Sequence, residues 1–294
     1  MQVFVTGATG FIGSAIAREL RRRGHDVVGL ARSETAAEAL RAVGSKVHRG
    51  DIADPESVTP ALGQVDAVIH TAFNHDFSHY VENCRADGRL LDAMARKLEG
   101  TNKALIAASA TVVTAAEEIS TESDLAIDQV PRSASEAFLA FAGRGVQTAV
   151  VRLPPTVHGA GDRAFVPALI ALARERGMSA YIGDGANRWP AVHRDDAARL
   201  FCDVVERPRL GVRYHGVAES GIPFCTIAET IARGLGVPVE SVPHGRAEEH
   251  FGWLARFAAL DMPASSEATR STTGWAPREQ KLLESLHDAG YFEG

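Results

Sequence analysis

Three glycines near the start of the chain have the spacing of a loop that binds an anion through its backbone. Gly7, Gly10 and Gly13 lie between an apolar run at 2–6, which predicts a strand, and a segment with the apolar periodicity of a helix. Gly7 permits a tight turn, Gly10 lets the backbone approach a pyrophosphate, and Gly13 allows close helix–sheet packing. The other residues expected to contribute to this loop are Thr9, Phe11 and Ile12. The pattern predicts a dinucleotide site.

The end of the second predicted strand bears on which dinucleotide binds. A carboxylate there accepts hydrogen bonds from a ribose diol, whereas an arginine binds a 2′-phosphate. The chain reads "VVGLARSE", with Ala31 at the expected acidic position, followed by Arg32 and Ser33. Arg32 could bind a phosphate as a fork, and Ser33 could donate a hydrogen bond. These residues favour NADP(H), with NAD as the alternative if Glu34 accepts the diol.

Histidines supply candidates for proton transfer because their pKa lies near neutrality. "FNHDFSHY" places His75 and His79 directly after the fourth predicted strand, and His158 follows the sixth. Each could equally be a structural or substrate-lining residue. His75 and His79 also have the i, i+4 spacing of a metal pair, but no third ligand follows a recognisable pattern. We therefore expect no metal site.

Alternating strands and helices must position these residues. Strands are predicted at 2–6, 26–31, 46–50, 66–70, 103–108 and 147–153, and helices at 11–23, 34–43, 55–62, 76–98 and 134–144. Apolar strands separated by helices indicate a parallel sheet covered on both faces. The sequence predicts an α/β fold with a Rossmann-type, doubly wound parallel sheet, whose ligands bind at the carboxyl ends of the strands.

The regular alternation stops after Pro155. Helices are predicted at 163–177, 194–206, 226–235, 246–259 and 279–287, among short strand-like pieces and Gly or Pro turns. We expect residues 1–155 to form the dinucleotide-binding domain, with a returning segment near 190–215. Residues 156–294 would form mostly a smaller, mixed α/β substrate lobe that closes over the ligands.

Composition excludes several other classes of protein. The formal net charge of −6 argues against nucleic acid or an anionic membrane as the main partner, because both need clustered positive charge. No apolar run approaches the roughly 20 residues of a membrane helix. The three cysteines are too few and too scattered for a disulfide framework. With no room for a signal peptide before the first strand, we expect a cytoplasmic protein.

Several motifs resemble those of one enzyme superfamily. "TGATGFIG" at 6–13, "GDIAD" at 50–54, "AVIHTAF" at 67–73 and "VVRLPPTVHGAGD" at 150–162 resemble motifs of the extended and atypical short-chain dehydrogenase/reductases, which include the sugar-nucleotide epimerases and dehydratases. The resemblance runs nearly end to end. It implies cofactor contacts from further residues, namely Asp51, Ile52, Thr71, Ala72, Phe73 and Pro154.

The proton-transfer pair of that superfamily is absent from this sequence. The family uses a Tyr four residues before a Lys, with a Ser or Thr holding the substrate oxygen. The resemblance puts Ser109 at the hydroxyl position, with Thr111 close behind. Within "IDQVPRSASEAF", Arg132 falls at the Lys position, where it could still bind ribose hydroxyls, and Asp128 falls at the Tyr position. Arginine cannot shuttle protons, and an aspartic acid needs burial or a carboxylate neighbour to act as an acid near neutral pH.

Two main hypotheses follow from the sequence. The first is an NADP-dependent oxidoreductase acting on a small carbonyl or alcohol, in which Ser109 or Thr111 orients the oxygen and His75, Asp128 or water moves the proton. The second is a binding protein that keeps the nucleotide cradle without turnover and reports the NADP/NADPH ratio. An epimerase or lyase is a third possibility. The expected partner is a small-molecule substrate, and a homodimer is compatible with the sequence.

Overall fold

A parallel β-sheet forms the centre of the first half of the protein. The computed structural model describes residues 1–114 and 118–293. Its strands are β1 (Gln2–Thr6), β2 (Asp26–Ala31), β3 (Lys46–Arg49), β4 (Ala67–His70), β5 (Ala104–Ala110), β6 (Gln147–Leu153), β7 (Thr156–His158), β8 (Ser179–Ile182), β9 (Arg188–His193), β10 (Val212–His215), β11 (Glu219–Pro223) and β12 (Val239–Val242). Seven of them form one sheet in the order β10-β6-β5-β4-β1-β2-β3, with every pair parallel. The predicted α/β, doubly wound fold is confirmed.

The helices lie between the strands. They are α1 (Phe11–Arg22), α2 (Glu34–Ala42), α3 (Pro55–Val58), α4 (Tyr80–Leu98), α5 (Phe165–Arg176), α6 (Arg194–Glu206), α7 (Phe224–Leu235), α8 (Ala247–Phe251), α9 (Ala255–Ala258), α10 (Glu267–Thr273) and α11 (Leu282–Asp288). The segment predicted as a helix at 134–144 is a 3-10 helix, Pro131–Arg144. The single helix predicted at 246–259 is wrong, because Gly252 has a φ of +53° and separates α8 from α9. Helix α10 was not predicted.

Alternating side chains of the parallel strands build a core on each face of the sheet. In β1, Val3 and Val5 belong to a cluster with α1, α2 and α6, whereas Phe4 belongs to a cluster with α4 and Phe138. Burial on both faces accounts for the nearly continuous apolar character of these strands. Within the described residues, no helix is both long and apolar enough to cross a membrane.

A second core lies outside the main sheet. The strands β11, β9 and β7 form a three-stranded sheet, and β12 pairs with β8. Trp189, Phe224 and Phe251 pack there against apolar residues of α5, α7 and α11. Between β9 and β11 of this second core, the chain returns to the first core. There β10 is the edge strand beside β6, and Asp203 of α6 accepts a hydrogen bond of 2.7 Å from Arg23 at the end of α1.

The order of strands reverses between β1 and β4, because β2 and β3 extend the sheet on one side of this pair and β5 and β6 extend it on the other. In doubly wound sheets, ligands bind at such a reversal, outside the carboxyl ends of the strands. The loops that follow β1, β4 and β5 therefore hold the residues to consider.

Candidate active site

Two glycines of the first loop are required by the fold itself. Gly7 has a φ of +72°, and a Cβ there would come within 2.8 Å of the backbone nitrogen of Ala72. A Cβ on Gly13 would overlap the carbonyl oxygen of Gly7. Any larger residue at either position would force the loop away from α1 or from the loop after β4.

The fold does not require a glycine at position 10 as it does at positions 7 and 13, but a side chain there would occupy space that a ligand could use. Its φ of −79° suits any residue, it is exposed, and a Cβ would meet only the carbonyl oxygen of Gly7, at 3.1 Å. Gly10 is the N-cap of α1, where neither a side-chain cap nor an acidic residue in the first turn neutralises the positive end of the helix. Thr9 beside it is exposed, and Phe11 and Ile12 are half-buried. This helix end suits a pyrophosphate.

The turn after β2 presents an exposed arginine. The side chain of Arg32 is 80% exposed, and its Nη1 lies 3.9 Å from Oδ2 of Asp51. Ser33 is the N-cap of α2 and accepts a hydrogen bond from the amide of Ala36, which leaves its own proton free to donate. Arg49 donates to the carbonyl oxygens of both turn residues and so fixes the turn.

Glu34, the alternative acceptor for a ribose diol, is engaged elsewhere. Its carboxylate pairs with Arg41 at 2.7 Å and with Arg49 at 3.5 Å. On the other side of the turn, Asp51 accepts a hydrogen bond from Ala53, and Ile52 packs against the core below α4.

The loop after β4 is tied to the end of β1. The amide and hydroxyl of Thr71 both donate to the carbonyl oxygen of Thr6, and the amide of Ala72 donates to the Thr6 hydroxyl. The next residue, Phe73, lies with its ring centroid 4.3 Å from the guanidinium carbon of Arg132. The loop thereby connects the glycine turn to Arg132, the residue that the sequence resemblance predicts at the family's Lys position.

A buried chain of polar groups continues from that point. The Thr6 hydroxyl lies 2.8 Å from Nδ1 of His70, whose Nε2 lies 2.9 Å from Oδ1 of Asp87. The other Asp87 oxygen accepts from Nη1 of Arg132 at 2.6 Å, and Nη2 of Arg132 donates to the carbonyl oxygen of Ala108. A carboxylate only accepts, so we assign the His70 proton to Nε2, and Nδ1 then accepts from the Thr6 hydroxyl.

This network immobilises Arg132 as a permanent cation. Burial raises the pKa of Asp87, but the charge of Arg132 and the hydrogen bond from His70 outweigh it, and the pKa lies below its usual value. Asp87 is therefore ionised and pairs with Arg132. The arginine supplies positive charge beside the loop after β4, yet cannot exchange a proton.

A second buried network engages Ser109. Its hydroxyl donates to Glu136 at 3.1 Å and accepts from Ser135 at 3.0 Å. Glu136 also accepts two hydrogen bonds, of 2.7 and 2.8 Å, from the fully buried Arg152, and one from Arg213. Burial raises the pKa of Glu136, but the bonds from Arg152 hold it below its usual value. Ser109 would have to leave an ionised partner in order to orient a substrate.

The hydroxyl of Thr111 differs from that of Ser109 in its hydrogen bonding. Its hydroxyl is buried and makes no hydrogen bond to the described residues. Thr111 lines a cavity of about 340 Å³ at the end of β5. Apolar side chains form much of the wall, among them Val112, Val130, Pro131, Leu260, Met262 and Pro263. An unsatisfied buried hydroxyl is costly, so a ligand oxygen that reached it from the cavity would be favoured there.

The remaining candidates lie around this centre. His75 is exposed in the loop after β4; the protein atoms around it, and then the charge of Arg132, lower its pKa. His79 pairs with Asp76, and no group of three or more His, Cys, Asp or Glu in the described residues could hold a metal ion. Asp128 lies in an exposed turn and does not line the cavity. Pro154 is buried after β6.

Sequence reasoning missed three residues of this site. His70 and Asp87 complete the Arg132 network, and Tyr80 lines the cavity beside Thr111. A signal for the first two was present, because His70 ends an apolar strand and Asp87 lies on the apolar stripe of an amphipathic helix. Tyr80 has no Lys four residues later, which excludes it from the superfamily's Tyr and Lys motif but does not exclude it from the site.

The fold and the loops define a Rossmann-type NAD(P)-binding protein of the short-chain dehydrogenase/reductase type. The chain belongs to the NAD dependent epimerase/dehydratase family, whose model matches residues 3–217.

The chain has relatives that match it over most of its length. It is 48% identical to the uncharacterized protein C2A9.02 of Schizosaccharomyces pombe, over 99% of this chain and 100% of that one. It is 31% identical to the 2-alkyl-3-oxoalkanoate reductase of Stenotrophomonas maltophilia, over 67% of this chain and 63% of the relative. The solved structure of the Thermus thermophilus UDP-glucose 4-epimerase in complex with NAD has a similar fold, with a TM-score of 0.78 at 21% identity, covering 100% of this chain and 99% of that one.

Proposed function

We propose that the protein is an NADP(H)-dependent oxidoreductase that interconverts a small carbonyl compound and its alcohol. The observation that carries the proposal is that Thr111, whose buried hydroxyl makes no hydrogen bond to the described residues, lines the cavity at the end of β5. Family membership supports a nucleotide-dependent enzyme, and the 2-alkyl-3-oxoalkanoate reductase is a relative whose name indicates an oxo substrate.

The residues present fit a dinucleotide. The uncapped N-terminus of α1 would receive the pyrophosphate over Gly10, and the exposed Arg32 with the Ser33 hydroxyl would receive a 2′-phosphate. Because Glu34 is paired with two arginines, we propose NADP(H) rather than NAD(H) as the preferred form. When bound, the nicotinamide supplies hydride chemistry, and the protein needs to bind, orient and protonate.

We propose Thr111, rather than Ser109, as the group that orients the substrate oxygen. Thr111 can donate its proton without breaking a hydrogen bond to the described residues, whereas Ser109 would have to abandon Glu136. The volume and the apolar walls suit a small substrate whose remaining atoms are largely apolar.

An assay of the purified protein with NADPH and a panel of small aldehydes, ketones and oxo acids would test the function directly. We expect nicotinamide absorbance to fall with one or more of them, and Thr111→Val to lower kcat/KM by about 10-fold or more through loss of one hydrogen bond in the transition state. Thr148→Val, which removes a buried hydroxyl that donates to the carbonyl oxygen of Leu139 away from the cavity, is the matched control.

One observation favours a second candidate, a nucleotide-binding sensor without turnover. Arg132 and Ser109, at two of the family's catalytic positions, are both held in buried networks. Tight NADPH binding with no oxidation by any member of the panel would support the sensor and refute the oxidoreductase.

A further inference from the structure

Reduction of a carbonyl requires a proton for the oxygen as well as hydride for the carbon. A suitable donor must share a cavity with the hydroxyl that holds the oxygen, and must itself be protonated at working pH. Arg132 never gives up its proton, Ser109 donates to Glu136, and Asp128 lies in an exposed turn outside the cavity wall. The donor is to be sought among the protic side chains that line the cavity with Thr111.

Tyr80, the first residue of α4, lies on that wall. It is half-buried, and aromatic neighbours from the loop after β4 fix its ring. The ring is stacked on Phe77, with centroids 5.8 Å apart and planes 25° apart, and meets Phe73 edge-on at 6.4 Å. Phe73 is the same residue that lies against the Arg132 guanidinium. Phe73 therefore contacts both the Tyr80 ring and the Arg132 guanidinium.

The charges around Tyr80 suit a group that is neutral before the reaction and briefly anionic after it. Burial, and then Cys84, raise the pKa of Tyr80 to about 12, while the positive charges of Arg132 and Arg256 oppose the rise. The guanidinium carbon of Arg256 is 6.0 Å from the Tyr80 ring centroid. Tyr80 thus keeps its proton throughout the neutral range, and the two cations would stabilise a transient phenolate.

We propose that Tyr80 donates the proton to the substrate oxygen that Thr111 holds. The reduced cofactor would supply hydride to the carbonyl carbon. The Tyr80 O–H bond then breaks, and a new O–H bond forms on the substrate oxygen. The phenolate then takes a proton from water at the open cavity. Tyr80 belongs to α4 and Arg132 to the 3-10 helix Pro131–Arg144, whereas the Tyr and Lys of the superfamily's pair lie four residues apart in the sequence. The assignment rests on the proposed function.

Tyr80→Phe keeps the ring and removes only the hydroxyl. With a carbonyl that the wild type reduces, we expect kcat to fall about 100-fold or more, the usual cost of losing a general acid. Calorimetry should give an unchanged Kd for NADPH. An unreactive amide of the same shape as the substrate should bind the cofactor complex about 3- to 10-fold more weakly, because one hydrogen bond is lost. Tyr181→Phe, at a half-buried tyrosine of β8 that does not line this cavity, is the control and should change none of these.

The pH profile separates Tyr80 from His75. A Tyr80 donor predicts a kcat for reduction that is constant from about pH 6 to about pH 8.5, whereas a histidine acid would make kcat fall as the pH rises. The assignment is overturned if Tyr80→Phe reduces the carbonyl at the wild-type rate, or if it loses NADPH binding, which would indicate a structural role. It is also overturned if kcat falls with rising pH and His75→Gln abolishes that dependence. Failure of the wild type to reduce any carbonyl would instead refute the proposed function, and the Tyr80 role with it.

Discussion

Removal of the positive charge at Arg32 is the sharpest test of the proposed cofactor preference. Arg32 is 80% exposed and lies 3.9 Å from Asp51, whose side chain is 37% exposed. A surface pair of this kind contributes at most about 1 kcal/mol to stability, so Arg32→Gln should fold normally. A hydrogen bond to a charged group contributes about 1.5–3 kcal/mol, and each 1.4 kcal/mol is tenfold in Kd. We therefore expect NADPH to bind Arg32→Gln about 10- to 150-fold more weakly than the wild type.

Calorimetric titration with NADPH and NADH, at one fixed ionic strength, would measure both affinities. The Kd for NADH should change less than twofold, since its ribose has no 2′-phosphate for the arginine to contact. Arg22→Gln is a matched control, because Arg22 is also exposed, at 64%, and pairs with Glu19 at the far end of α1. Arg32→Asp should go further and favour NADH. Equal NADPH affinity in Arg32→Gln and the wild type would refute the assignment.

Three further predictions concern the glycine loop and two buried groups. Gly10→Ala should fold and lose at least about 10-fold in NADPH affinity, whereas Gly13→Ala should fail to give a cooperative thermal transition, because its Cβ overlaps the Gly7 carbonyl. Glu136→Gln leaves the buried Arg152 without its paired charge and should lower the free energy of unfolding in urea by about 3–5 kcal/mol; a loss below about 1 kcal/mol would contradict this. Burial, and then His193, lower the pKa of His158 to about 3. Below about pH 6.5 the His158 imidazole is protonated in the unfolded chain but stays neutral in the folded protein. The free energy of unfolding therefore falls as the pH drops from about 6.5 towards 3. Between about pH 7 and pH 4.5 the wild type should lose about 3 kcal/mol more than His158→Gln in urea titrations, and parallel losses would exclude His158 as the cause.

Much of the fold was predictable because it depends on neighbours along the chain. The strand, the glycine turn and the first turn of α1 occupy consecutive residues, so their spacing alone predicts their arrangement. The predicted strands at 2–6 and 26–31 match β1 and β2, because alternating burial on two faces gives a continuous apolar run. The break between α8 and α9 was missed, since a glycine in a helical pattern does not reveal that its φ is positive.

The sequence also showed that the usual proton donor is missing, but it did not identify a replacement. It contains no Tyr followed four residues later by Lys, and the family resemblance predicts Arg132 at the Lys position. The sequence could not distinguish Ser109 from Thr111, because both lie at the end of the same strand and both carry a hydroxyl. Their difference lies in their partners: Glu136 engages one, and none of the described residues engages the other.

The amino-acid order by itself predicted the first two strands, the glycine turn and the position of Arg32 directly after β2, since each depends on residues close together in the chain. Only the tertiary structure decided that Asp87 fixes Arg132 across 45 positions, and that Tyr80 and Thr111 line one cavity. Contacts of this kind depend on how a helix is rotated against the sheet and on which way each loop leaves its strand. Those orientations are set by packing over the whole core, and no local spacing records them.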